Sequence, residues 1–108
     1  ECITETIADM EQNELIGPIV SHAGDGNFHV ALLIDKNNKI ELDKLDKFLV
    51  RISERAIRMD GTCTGEHGVG QGKRKYMLKE LGNAVNVMKS VKEAFDPHKI
   101  MNPGKLFL

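Results

Sequence analysis

Aromatic residues are scarce in this sequence: it has no tryptophan, one tyrosine and four phenylalanines. Any core must therefore be built mainly of Ile, Leu, Val and Met, and with 108 residues there is not much of it, so marginal stability is expected. Charge of one sign is also missing. Fifteen Lys and Arg meet sixteen Asp and Glu, and the basic patch of a nucleic-acid surface is not seen. The two cysteines, Cys2 and Cys63, are far apart and belong to no CxxC pair. That excludes a zinc ribbon or disulfide scaffold and predicts reduced thiols in a cytoplasmic protein. No apolar run approaches the ~20 residues that span a bilayer, and the N-terminus lacks a signal-peptide pattern. There is no repeat, low-complexity segment or linker. The chain starts with Glu rather than Met, inside what reads as a helix, and is expected to be a piece of a larger protein.

What is present is more specific. The stretch SHAGDGNFH, Ser21 to His29, holds two of the four histidines around an Asp-Gly pair. Asp-Gly between apolar runs predicts a two-residue hairpin loop, because both central positions of a type I′ turn need φ > 0. Counting outward from Asp25-Gly26 pairs Gly24 with Asn27, Ala23 with Phe28 and His22 with His29. The imidazoles then become directly opposed, with Cβ atoms about 4.5–5.5 Å apart. Two rings so placed could grip one ion.

Along the chain, Thr4 to Leu15 reads as a short amphipathic helix with Ile7, Met10 and Leu15 as its apolar residues, ending before Gly17-Pro18. Ile19-Val20 enters the hairpin, and Phe28 to Ile34 returns as a strand expected well inside a sheet. After a polar turn at residues 35–39, Leu42, Leu45, Phe48, Leu49, Ile52, Ala56 and Ile57 recur at helical spacing between Glu41 and Met59, with Gly61 as the stop. Thr62 to Gly72 has four glycines and no periodicity, as in a loop that passes close to something. A further helix begins near Lys73, breaks at Gly82 and restarts with Asn83 as N-cap. It places Ala84, Met88, Val91 and Phe95 on one face before Asp96-Pro97. The tail, KIMNPGKLFL, reads as extended and apolar.

The glycine-rich loop is not a phosphate cradle. A P-loop ending at Gly72-Lys73 needs Gly at 67 and Ser or Thr at 74, where the chain has His67 and Arg74; a dinucleotide fingerprint from Gly68 needs Gly at 73, where Lys73 stands. The loop does hold Glu66-His67. Three protein ligands and one open position make a catalytic metal centre, and His22, His29 and Glu66 would supply two imidazoles and a carboxylate. His67, directed away from its neighbour, could then act as general base. Against this stands the plainer alternative of ordinary strand histidines and solvated loop residues. Gln71, Lys73, Arg74 and Lys75 read as a solvated face, with an anionic substrate on one of them as the alternative. His98 reads as exposed and inert.

HAGDGNFHV at 22–30, GTCTGEHGVGQGK at 61–73 and DPHKIMNPGKLF at 96–107 closely resemble the C-terminal region of the FAD-linked D-lactate dehydrogenase and glycolate oxidase family, whose flavin domain is of the vanillyl-alcohol oxidase type. The resemblance covers nearly the whole chain. It implies an α+β fold, a fragment of a ferredoxin-like substrate (cap) domain over residues 1–108, with the flavin-binding domain and first part of the cap absent. It also implies that His22, His29 and Glu66 bind a divalent metal, zinc or manganese, that His67 is the base at the substrate, and that Asn102 lies near FAD. The D-2-hydroxyglutarate branch has Asn two residues after the second ligand histidine; Ala31 stands here, which favours D-lactate or glycolate over a longer diacid.

The reaction so implied is oxidation of a small 2-hydroxyacid with hydride transfer to FAD, with the missing flavin domain as partner and no turnover by the fragment alone. The full-length enzyme so implied is cytoplasmic, with peripheral association with the inner membrane as the alternative. Two other readings are a stand-alone metal-binding or hydrolytic module without flavin, and a metal-free fragment that persists by dimerising through an apolar surface.

Overall fold

A computed structural model describes residues 1–107. The chain forms two compact units, residues 1–61 and residues 62 onward.

The first unit is a helical layer behind a hairpin. It comprises α1 (Cys2–Gln12), β1 (Ile19–His22), a 3-10 turn (Ala23–Asp25), β2 (Asn27–Val30) and α2 (Lys39–Arg58). Asn38 caps α2, its side chain accepting from the amides of Ile40 and Glu41. Both helices end in the same way. Glu14 (φ 55°) and Asp60 (φ 58°) take the left-handed position after the caps Asn13 and Met59. The amide of Leu15 then reaches back to Met10 O at 2.9 Å, and that of Gly61 to Ala56 O at 2.9 Å. These are Schellman closures with an acidic residue where glycine is usual. Gly61, expected as the helix stop, therefore lies one residue beyond the turning point.

Met10, Leu15 and Phe48 form the core, with Ile19, Val30, Leu32, Ile34 and Ile52 packed on it. Phe48 is 1% exposed, whereas Ile7, expected in the apolar face of α1, is 45% exposed. Polar residues take its place: Thr6 and Asp9 are buried. Arg51 Nη2 and Arg55 Nη2 each donate to Asp9 at 2.6 Å, and Arg55 Nη1 donates to the Thr6 hydroxyl at 3.0 Å. Helical periodicity in apolar residues alone could not show a buried ion cluster.

The strands run antiparallel with Ile19 opposite Val30, Val20 opposite His29, Ser21 opposite Phe28 and His22 opposite Asn27. The return strand is shorter than expected, and among the described residues β2 pairs with β1 alone. The ladder nevertheless continues beyond it: Ala31 N–H donates to Pro18 O at 3.0 Å and Leu33 N–H to Ile16 O at 2.8 Å. Pro18 has no amide to return, which weakens the pairing where strand geometry ends. At Gly17 the two chains run so close that a Cβ would lie 2.1 Å from Ala31 O.

The second unit holds the glycine-rich loop, a 3-10 turn (Arg74–Tyr76), α3 (Met77–Leu81) and α4 (Ala84–Phe95). Cys63, Tyr76, Met77 and Val85 are its buried apolar residues. The break at Gly82 is as expected, with φ 53° and ψ −133°, but Asn83 makes no side-chain cap bond. The expected inner face of α4 is largely outside: Ala84 and Val91 are exposed and Phe95 is 79% exposed, whereas Val85 and Asp96 are buried. The tail is not extended. It coils through left-handed positions at Lys99, Asn102, Gly104 and Leu106.

Candidate functional site

His22 and His29 lie on one face of the hairpin, with ring centroids 5.9 Å apart and planes at 88°. They are not directly opposed. The loop between the strands has four residues, Ala23 to Gly26, with Gly26 at φ 67° and its amide donating to Ala23 O at 3.3 Å. A 3-10 turn closed by a left-handed glycine has displaced the expected Asp25-Gly26 type I′ turn, and the pairing is shifted by two residues. Side chains alternate with period two, so a shift of two keeps both rings on the same face and turns an opposed pair into a diagonal one. The core residues Ile19 and Val30 occupy the opposite face. His22 is exposed and His29 half-buried. Ala31, two residues after His29, falls on the histidine face and is exposed.

Glu66 and His67 lie in the second unit, both exposed, with Glu66 Oε1 3.4 Å from His67 Nε2. The pair therefore face each other, against the expectation that the His67 ring would turn away from its neighbour. Their turn is closed from the side. Thr64 Oγ1 donates to Gly68 O at 2.7 Å, and Gly68 N–H to Gly65 O at 3.4 Å. Gly68 and Gly70 both have positive φ, 78° and 51°, which a residue with a Cβ would resist. Thr64 was not singled out by sequence; a threonine two residues before a Glu-His pair carries no signal of its own.

Cys63 leads into this loop. Its amide donates to Glu80 Oε2 at 2.8 Å. Burial first, then the Glu80 carboxylate, pushes the Cys63 thiol up to about 11, so it is neutral at ordinary pH. The basic run after the loop is not one solvated face. Gln71 and Lys75 are exposed, but Lys73 and Arg74 are half-buried. Burial holds the Lys73 ammonium below its ordinary range, and the Lys73 and Lys75 ammonium groups lie 5.7 and 5.1 Å from the Tyr76 ring centroid. Arg74 is engaged with backbone carbonyls, including those of the tail.

Asn102 is exposed, at φ 45°, between Met101 and Pro103. Upstream, the buried Asp96 carboxylate accepts from the amides of Ile100 (2.9 Å) and Met101 (3.0 Å) and is paired with Lys92. His98 is exposed. None of the helices among the described residues is long and apolar enough to cross a membrane.

The sequence is similar to those of D-lactate dehydrogenases and glycolate oxidase subunits. The chain is 48% identical over 107 residues to a Danio rerio protein named "Probable D-lactate dehydrogenase, mitochondrial", covering 98% of this chain and 22% of that one. It is 50% identical over 106 residues to "D-lactate dehydrogenase [cytochrome] 1, mitochondrial" of Saccharomyces cerevisiae, covering 97% and 18%. It is 46% identical over 87 residues to "Glycolate oxidase subunit GlcD" of Bacillus subtilis, covering 80% and 18%. The chain thus spans about a fifth of the length of the curated relatives it matches. The family described as "FAD linked oxidases, C-terminal domain" matches residues 1–106, and the chain belongs to it.

Proposed function

We propose that this chain is the metal- and substrate-site part of an FAD-dependent D-2-hydroxyacid dehydrogenase that oxidises D-lactate or glycolate to the 2-oxo acid. The observation that carries the reading is the paired presentation of His22 and His29 on the hairpin face turned away from the core, in a chain of this family. Two imidazole nitrogens on a short hairpin are donors suited to zinc, and the Glu66 carboxylate, the third ligand in this proposal, brings the oxygen donor that manganese favours. When bound, the metal supplies Lewis-acid polarisation of the substrate hydroxyl and the flavin accepts the hydride.

The chain's own residues do the rest. His67 takes the hydroxyl proton at a ring nitrogen, and the turn closed by Thr64 holds it beside Glu66. Asn102 lies towards the flavin. At position 31 a methyl group replaces a polar arm next to His29, which suits a short substrate. FAD is bound mainly by a domain outside this chain, which is the partner it requires. Cys2 and Cys63 are both free thiols, which suits a reducing compartment, the cytoplasm of the sequence reading; the zebrafish and yeast relatives carry "mitochondrial" in their names.

The test uses the full-length flavoprotein. Anaerobic mixing with D-lactate or glycolate should bleach the flavin, and elemental analysis should find about one zinc or manganese per chain, as expected of a single three-ligand centre. His22→Ala should lose most of that metal and the bleaching with it. A parent protein that leaves its flavin oxidised, or a His22→Ala variant with undiminished metal, overturns the proposal. So does metal-dependent hydrolysis by this chain alone, which would favour the module without flavin.

A further inference from the structure

The tail that carries Asn102 is an unfavourable conformation held from both ends. Asn102, Gly104 and Leu106 sit at φ 45°, 71° and 66°. Asn and Gly tolerate this region, but leucine does not, and such residues persist only where surrounding contacts over-determine them. Upstream, the Asp96 carboxylate takes the Met101 amide while Lys92 Nζ donates to Met101 O at 2.6 Å. Downstream, Leu106 N–H donates to Gly70 O at 2.8 Å. Arg74 Nη1 donates to Gly104 O at 3.0 Å and to Phe107 O at 3.4 Å, while its Nε donates to Gln71 O at 3.2 Å. Only Asn102 and Pro103 lie between the two fixings, and the ring of Pro103 locks one of their torsions.

The guanidinium therefore joins two segments that sequence separates by thirty residues. One is the glycine-rich turn that follows Glu66-His67; the other is the tail with Asn102. We propose that Arg74 is a positioning residue, a strap that fixes Asn102 relative to His67 by tying the tail carbonyls to the turn. Its functional consequence rests on the dehydrogenase reading above. A lysine could not replace it, because one ammonium cannot present the planar fork that spans carbonyls on two segments.

The experiment compares Arg74→Ala and Arg74→Lys with the parent full-length flavoprotein. Misplacing one reacting group by about an ångström costs up to about 100-fold, so the limiting rate of flavin reduction by D-lactate should fall at least about 10-fold while KM stays within about 3-fold. Added guanidinium ion should restore part of the rate to Arg74→Ala and none to Arg74→Lys. Amide exchange at Leu106 should be about 10-fold faster or more in both variants, a readout that needs no turnover. Should Arg74→Ala fail to fold, Arg74→Lys carries the same expectations for rate and exchange. Parent-like exchange at Leu106, or a parent-like reduction rate, overturns the strap. A parent that reduces no flavin but shows the exchange difference overturns only the dehydrogenase reading.

Discussion

Arg55 donates to Asp9 at 2.6 Å across the α1–α2 contact, with both side chains at most a tenth exposed. Burial alone would raise the Asp9 carboxyl, but hydrogen bonds from Arg51 and Arg55, together with their charges, outweigh it and hold the group below its ordinary value. A carboxyl so lowered contributes stability that is fully present above the unfolded value near 3.8 and is lost as pH falls through the folded one. Asp9→Ala should therefore destabilise the protein by about 3 kcal/mol, the low end for a broken buried pair because Arg51 can regain water. Urea unfolding at neutral pH checks the size, and repeating it towards pH 3 should narrow the gap between parent and variant.

Gly17 and Ala31 make the second prediction. Gly17→Ala puts a methyl group into the Ala31 carbonyl, which is backbone and cannot rotate away. The strands must part, at a cost of about 3 kcal/mol. Thermal unfolding should show it, together with a changed environment at His29, two residues from the collision.

Cys63 and Glu80 give a third. With the thiol near 11, alkylation of Cys63 at pH 8 should run about 100-fold slower than for an ordinary cysteine, from the smaller thiolate fraction alone. Glu80→Gln removes the neighbouring negative charge, so Cys63 should react faster in that variant. Peptide mapping after timed iodoacetamide labelling separates Cys63 from Cys2.

The Asp96 anchor gives a fourth. The Lys92 hydrogen bond leads the effects that hold this carboxyl below its ordinary 3.8, so the anchor persists through mildly acidic pH and is released only as pH falls through the lowered value. Asp96→Ala should expose the Ile100 and Met101 amides at every pH, increasing their exchange about 10-fold or more. Exchange measured at neutral pH on the variant and its parent is the check.

A fifth concerns substrate length. Ala31→Asn places an amide on the histidine face beside His29 and should shift the kcat/KM ratio towards a five-carbon hydroxy diacid over D-lactate by about 10-fold, the worth of one hydrogen bond to a charged group. Steady-state rates with both substrates on the full-length protein decide it.

The elements that were legible in sequence are those with a local cause. The heptad-like spacing from Leu42 to Ile57 marked α2 to within two residues of Lys39–Arg58, and Gly82 marked the break before α4. The hairpin was legible as a hairpin but not in its register, because Asp-Gly satisfies two turn types and a 3-10 turn over Ala23–Asp25 won. The inward face of α1 was misread since Asp9 and Thr6 are buried against Arg51 and Arg55, 42 to 49 residues away, a pairing no local pattern carries. Arg74 looked like part of a solvated basic run for the same reason: its partners are backbone carbonyls, which have no letter in a sequence. The shared face of His22 and His29 was legible from their spacing around the bend, whereas the approach of Glu66 to His67 and the turn that Thr64 closes became visible only in the structure.

His22 and His29 share a face because their register differs from direct opposition by an even number of residues. Sliding one strand past the other in steps of two leaves both imidazoles on the outer surface, whereas a single step would send one of them into the hydrocarbon side. Insertions or deletions at the Ala23–Gly26 bend are thereby filtered by parity: an even change of register keeps both rings on one face and alters only their separation, whereas an odd one parts them.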